Sequence, residues 1–137
     1  MATIKGMDRH IKRLQNMRTA AKQITGALYA AGQDIELDAE HSITQGAVSG
    51  KEHVPSLPGQ PPNADTHTLD TNIETTVEAM NPPTVHITSH APYSAALEYG
   101  TSKMAERPFM RPATEKNRKK VSGKVADAVR VTIRRGA

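Results

Sequence analysis

One apolar stripe constrains this chain more than any other feature. Met7, Ile11, Leu14, Met17, Ala21, Ile24, Leu28, Ala31 and Ile35 recur at spacings of three and four, which marks one face of an amphipathic helix. Few breakers interrupt it, so the spacing predicts a helix from about residue 7 to the mid-forties, roughly 55 Å long at 1.5 Å per residue. Gly26 and Gly32 each cost such a helix up to about 1 kcal/mol and mark where it would bend or break. A chain of 137 residues suits one modest domain. It cannot hide so long a stripe entirely in its own core. Leu, Ile, Val and Phe supply only about one residue in six, less than an ordinary core draws on. The expectation is a thin-cored domain that gains stability from neighbours.

Charge is distributed in blocks. Residues 1–25 carry a net +5, residues 26–102 a net −9 and residues 103–137 a net +8. Along the predicted helix the basic run from Arg9 to Lys22 precedes the acidic run Asp34, Glu36, Asp38 and Glu40, the reverse of what the helix dipole favours at each end. Partners that neutralise these charges would remove the misfit, and a solvated face would leave it. Basic ends around an acidic middle suit nucleic-acid binding and equally suit head-to-tail contact between copies of one chain.

Beyond the helix, Gly46, Gly50, Pro55, Pro58, Gly59, Pro61 and Pro62 preclude a helix or central strand over residues 46–68. Some 20 residues without regular structure mark a functional loop or a linker. From Asn72 to Met80, Ile73, Thr75, Val77 and Ala79 alternate with polar residues, and Val85, Ile87 and Ser89 alternate with His86, Thr88 and His90. With Asn81-Pro82-Pro83 between them, these segments predict an antiparallel hairpin. Tyr93 to Tyr99 reads as a short helix stopped by Gly100. Pro112 suits a first helical turn, and Ala113 to about Ile133 reads as the last helix. The predicted fold class is α+β: a helical arm over 1–45, an extended loop over 46–68, and a small sheet with a short helix and a C-terminal helix over 69–137.

Chemistry leaves few footholds. There is no cysteine, hence no disulfide, thiolate nucleophile or cysteine-bound zinc. No run approaches the ~20 apolar residues of a membrane span, and no signal-peptide pattern opens the chain; a soluble product of the cytoplasm is expected. His86 and His90 share a strand face but stand ~13 Å apart at that spacing, too far for one ion. No nucleophile elbow, phosphate loop or metal-binding motif is present, so no enzyme activity, metal or cofactor is expected. Tyr29, Tyr93, Tyr99 and Phe109 are the only aromatics, thin material for stacking on single strands. Arg118, Lys119, Lys120 and Lys124 on the last helix could face DNA phosphates or a neighbouring subunit.

Two stretches are more specific. One runs Pro58-Gly59-Gln60-Pro61-Pro62-Asn63-Ala64-Asp65-Thr66-His67-Thr68-Leu69. The other runs Ala91-Pro92-Tyr93 through Glu98-Tyr99-Gly100-Thr101 to Arg107-Pro108-Phe109-Met110-Arg111-Pro112-Ala113. In this order, after a long helix, the sequence resembles the gp-ten-like tail-component family of tailed bacteriophages over most of residues 45–125. His67 stands where the family pattern has glycine, so a turn of different type is expected there. The resemblance implies a non-catalytic virion protein of the head–tail junction, a neck or tail-completion component in a ring of six or twelve copies. Its partners would be further copies of itself, head-closure or connector proteins, tail-tube or tail-terminator proteins, and DNA in the channel. A tail-terminator role and a nucleic-acid-binding accessory role are the alternatives. Within the motif, Tyr93, Glu98, Tyr99, Gly100 and Thr101 are expected to shape a turn that seats Phe109 in the core. Arg107 and Arg111 would anchor that turn or reach a neighbour.

Overall fold

A computed structural model describes residues 5–47 and 50–136. Residues 1–4, 48, 49 and 137, which belong to the predicted arm, loop and chain end, lie outside the described residues. The order of elements is helix α1 (Met7–Thr44), strands β1 (Ile73–Met80) and β2 (Pro83–Ser89), short helix α2 (Ser94–Tyr99) and helix α3 (Met110–Gly136). The protein is an α+β fold with a two-stranded antiparallel sheet. Single 3-10 turns sit at Gly50–Glu52 and Asp70–Asn72.

Helix α1 is one element of 38 residues that runs through both glycines without a break. The two glycines differ in their surroundings. A Cβ at Gly26 would meet nothing within 4 Å, whereas one at Gly32 would lie 2.8 Å from Thr75 Cγ2 and 3.2 Å from Val85 Cγ1. Gly32 is therefore where the hairpin lies directly against the helix, and the glycine permits that approach. Two alanine variants should move in opposite directions. Gly26→Ala should gain up to about 1 kcal/mol from helix propensity alone. Gly32→Ala should lose about 1–3 kcal/mol, because stiff Thr75 and Val85 must shift. Thermal denaturation of both variants followed by circular dichroism checks this.

The hairpin follows its predicted alternation, with a refinement. Ile73 pairs with Ser89, Thr75 with Ile87 and Val77 with Val85, and the register then slips between Val77 and Ala79. Ile73 and Thr75 are buried, but Val77 is exposed. The loss of burial at Val77 coincides with the register slip, so the inward face ends before the pattern does. Opposite the helix, His86 Nε2 lies 2.6 Å from Glu78 and His90 Nε2 2.9 Å from Glu74, which accounts for both histidines as cross-strand partners of carboxylates.

Helix α3 lies antiparallel to α1, a direction fixed by side-chain pairs. Asn117 Nδ2 donates to Asp38 Oδ2 at 2.5 Å, Lys124 Nζ donates to Asp34, and Thr132 Oγ1 donates to Gln23 Oε1 at 3.0 Å. Lys116 adds an ion pair to Asp38 at 3.2 Å. The acidic half of α1 thus finds cations on its own chain, and part of the charge complementarity read from the sequence is satisfied within that chain. Asn117, fully buried, also returns a hydrogen bond to Ala113 O at 2.8 Å. The hydrogen bond from Asn117, helped by Lys116 and Lys120, outweighs burial and holds the Asp38 carboxyl below its ordinary value.

The core is small and lies around the C-terminal half of α1. Ile35, Ala39 and Ile43 meet Leu69, Ile73, Ala91, Phe109 and Ala113. The N-terminal half has no such cover: Met7, Ile11, Leu14 and Met17 are 45–62% exposed.

Candidate functional site

The two motif stretches fold onto each other. Helix α2 ends at Gly100, whose φ of 76° lies in the left-handed region; a Cβ there would stand 2.9 Å from Glu106 N and 3.0 Å from Met104 O. Only glycine fits both the angle and the space. The chain then closes a tight loop in which Thr101 N–H donates to Met104 O at 2.8 Å, and Arg107 N–H returns to Leu97 O at 2.6 Å. This return delivers Phe109 into the core at 1% exposure and starts α3 directly beneath α2.

Glu98 organises that junction. Its side chain is 7% exposed. Glu98 Oε2 accepts from the N–H groups of Phe109 (2.9 Å) and Met110 (3.1 Å), and Oε1 accepts from Arg111 N–H at 2.9 Å. A carboxylate from one helix therefore caps the first turn of the next, satisfying free N–H groups and facing the positive end of the dipole. Arg111 completes the arrangement. Its Nε donates to Glu98 Oε1 at 3.1 Å, and its Nη2 donates to Glu98 O at 2.7 Å and to Glu106 Oε2 at 2.8 Å. The guanidinium also stacks over the exposed Tyr99 ring at 5.6 Å. Burial pushes the Glu98 carboxyl up, but the three backbone donors and Arg111 outweigh it and hold it below its ordinary value.

The proline-rich loop docks on the same junction. Gly59 N–H donates to Glu106 O at 2.9 Å, and Arg107 Nε donates to Ser56 O at 3.2 Å. Across the base of the loop, Asp65 Oδ1 accepts from Gly50 N–H at 2.9 Å, Asn63 Nδ2 donates to Val54 O at 2.8 Å and Ala64 N–H donates to Ile43 O at 3.0 Å. Pro62 is buried, Pro61 half-buried and Leu69 in the core. Thr66 and Thr68 share a hydroxyl hydrogen bond at 2.9 Å. His67 takes a positive φ of 59° despite carrying a side chain, and its Nδ1 meets Asp70 Oδ2 at 3.0 Å.

A cavity of about 210 Å³ remains between loop and junction, bordered by His53, Pro62, Thr66, Tyr93, Leu97 and Arg107. Pro108 is half-buried behind Phe109, and Pro112 is exposed on the first turns of α3. Among the described residues no group of three or more histidine or acidic side chains is placed to hold a metal ion. None of the described helices is long and apolar enough to cross a membrane.

Of the basic residues singled out on α3, Arg118, Lys119 and Lys120 are exposed on the outer face, with Arg118 3.6 Å from Glu115. Lys124 is set apart by its pairing with Asp34. Glu98 sits on α2 yet serves as the cap of α3. No local pattern carries that signal, because the N–H groups it caps lie 11 to 13 residues further on. No protein-family model matches the chain, and neither a curated protein nor a solved structure matches it.

Proposed function

We propose that this chain is a structural virion protein of the head–tail junction, a neck or tail-completion component that assembles as a ring joining the tail to the DNA-filled head. One observation carries the reading. The residues through which the sequence resembles the gp-ten-like tail components form a single structural unit, in which the Pro-Gly loop, the Glu-Tyr-Gly-Thr turn and the Arg-Pro-Phe segment lock together around Glu98 and Arg107. Such a unit is a rigid scaffold that leaves both long helices with faces for neighbours. A thin core and a half-uncovered helix suit a subunit that completes itself in an assembly.

Electron microscopy of lysates from a phage or prophage lacking this gene tests the reading. Filled heads and free tails should accumulate separately, and the wild-type chain supplied in trans should restore joined particles. Joined particles without the chain would overturn it. Charge reversal of Arg118, Lys119 and Lys120 should leave the monomer folded, since all three are exposed, yet block joining in the same assay. Normal particles from that variant would remove the basic face of α3 from the interface.

A further inference from the structure

We propose that the exposed basic half of α1 docks head-to-tail into an acidic groove on a second copy of this chain. The inference rests on the ring-subunit reading and names the surfaces that join the ring. The donor surface is the stretch where Ile11, Leu14 and Met17 stand 45–62% exposed beside Arg9, Arg13 and Arg18. Together with Met80 at the hairpin tip, this stretch borders an open apolar groove.

The acceptor lies at the other end of the same helix. Leu37 is 61% exposed there and borders a second groove with Asp38, Glu40, Asp70, His41 and Lys116. Asp70 is 93% buried, since only 7% of it is exposed, and its Oδ1 finds no hydrogen-bond donor among the described residues. Asp34 and Asp38 are already neutralised by Lys124 and Lys116, whereas Glu40 is not. Burial first, then the charges of Glu36 and Asp70, push the Glu40 carboxyl up. Asp70 meets His67 through its other oxygen, so the groove keeps a net negative charge around an exposed leucine, three carboxylates against Lys116, with Glu40 outside the ion pairs of the described residues. The donor half offers positive charge around exposed apolar side chains.

Geometry forbids one chain from joining them. Leu14 and Leu37 are separated by roughly 35 Å of continuous helix at 1.5 Å per residue, and α1 has no break on which to fold back. Pairing two donor halves would set arginine against arginine. The remaining solution is heterologous: the donor half of one copy on the acceptor groove of the next. Such contacts repeat around a ring or along a filament.

The chain contains no cysteine, so introduced pairs report cleanly. Oxidation of full-length Met17→Cys/Leu37→Cys protein should give a ladder of covalent multimers on non-reducing gels. Each single variant alone should stay monomeric, and an equimolar mixture of the two should stop at dimers. Adding Glu40→Lys to the double variant should slow cross-linking at least tenfold with an unchanged circular dichroism spectrum. Absence of the ladder, dimers from Met17→Cys alone, or capture of the arm by added duplex DNA with the chain left monomeric would each overturn the proposal. Particle content tests the neck reading separately. A ladder from a chain absent from particles keeps the interface and removes that reading; a chain present in particles without a ladder does the reverse.

Discussion

Replacing Glu98 with alanine should cost about 3 kcal/mol, because the three N–H groups it caps would exchange a charged acceptor for water, which returns part of the loss. For a domain of this size that is a fall of roughly 10 °C in Tm. Glu98→Gln keeps the volume but turns one acceptor into a donor aimed at N–H groups, so it should recover only part of the loss. The pH dependence separates a capping charge from simple packing. The folded carboxyl holds its proton less tightly than the unfolded one, whose ordinary value is 4.5. Its stabilisation is thus complete above that value and is lost as pH falls through the lower folded value. The wild type should lose stability on that acid limb, and Glu98→Gln should show a shallower one. Asp38, also held low, keeps the limb from vanishing. Urea denaturation between pH 3 and pH 7 measures both effects. Equal slopes in the two proteins would contradict the capping role.

Phe109→Ala should cost about 3–5 kcal/mol, a large part of the ~5–15 kcal/mol that holds an ordinary domain together. Phe109 is the only phenylalanine in the chain and is 1% exposed. It bridges α1, the loop and the start of α3 in a core otherwise built largely of alanine and isoleucine. The isolated variant should be unfolded or molten at 37 °C, with collapsed near-ultraviolet dichroism, while Phe109→Leu keeps the fold. A cooperative, fully folded Phe109→Ala protein would contradict this placement of the side chain.

Periodic features were readable from the sequence because a single repeating constraint produces them. The stripe of α1, the alternation of β2 and the Gly100 stop each reflect local geometry that neighbours in the chain dictate. What escaped depends on contacts between distant residues. Gly32 reads as a helix weakness, and only the hairpin lying on it reveals its use. Val77 follows the strand alternation but falls where the register slips away from the helix. Glu98 serves N–H groups beyond any local capping pattern, and Asn117 sits buried in a helix that reads as basic. Asp34 and Asp38 look like charges awaiting an external partner, yet α3 folds back to supply Lys124 and Lys116. Once those pairs are formed, and Asp70 has met His67, Glu40 is left outside the ion pairs of the described residues. His67 adopts a left-handed φ of 59°, which its residue type alone does not announce.

Quantitative mass spectrometry of purified intact particles, scaling this chain to the portal protein, decides whether it is a junction ring. The account predicts a fixed ratio of one-half or one copy per portal chain, unchanged after density-gradient purification and high-salt washing. Absence from washed particles, or a ratio that varies between preparations, would contradict it and leave an assembly or DNA-binding accessory role.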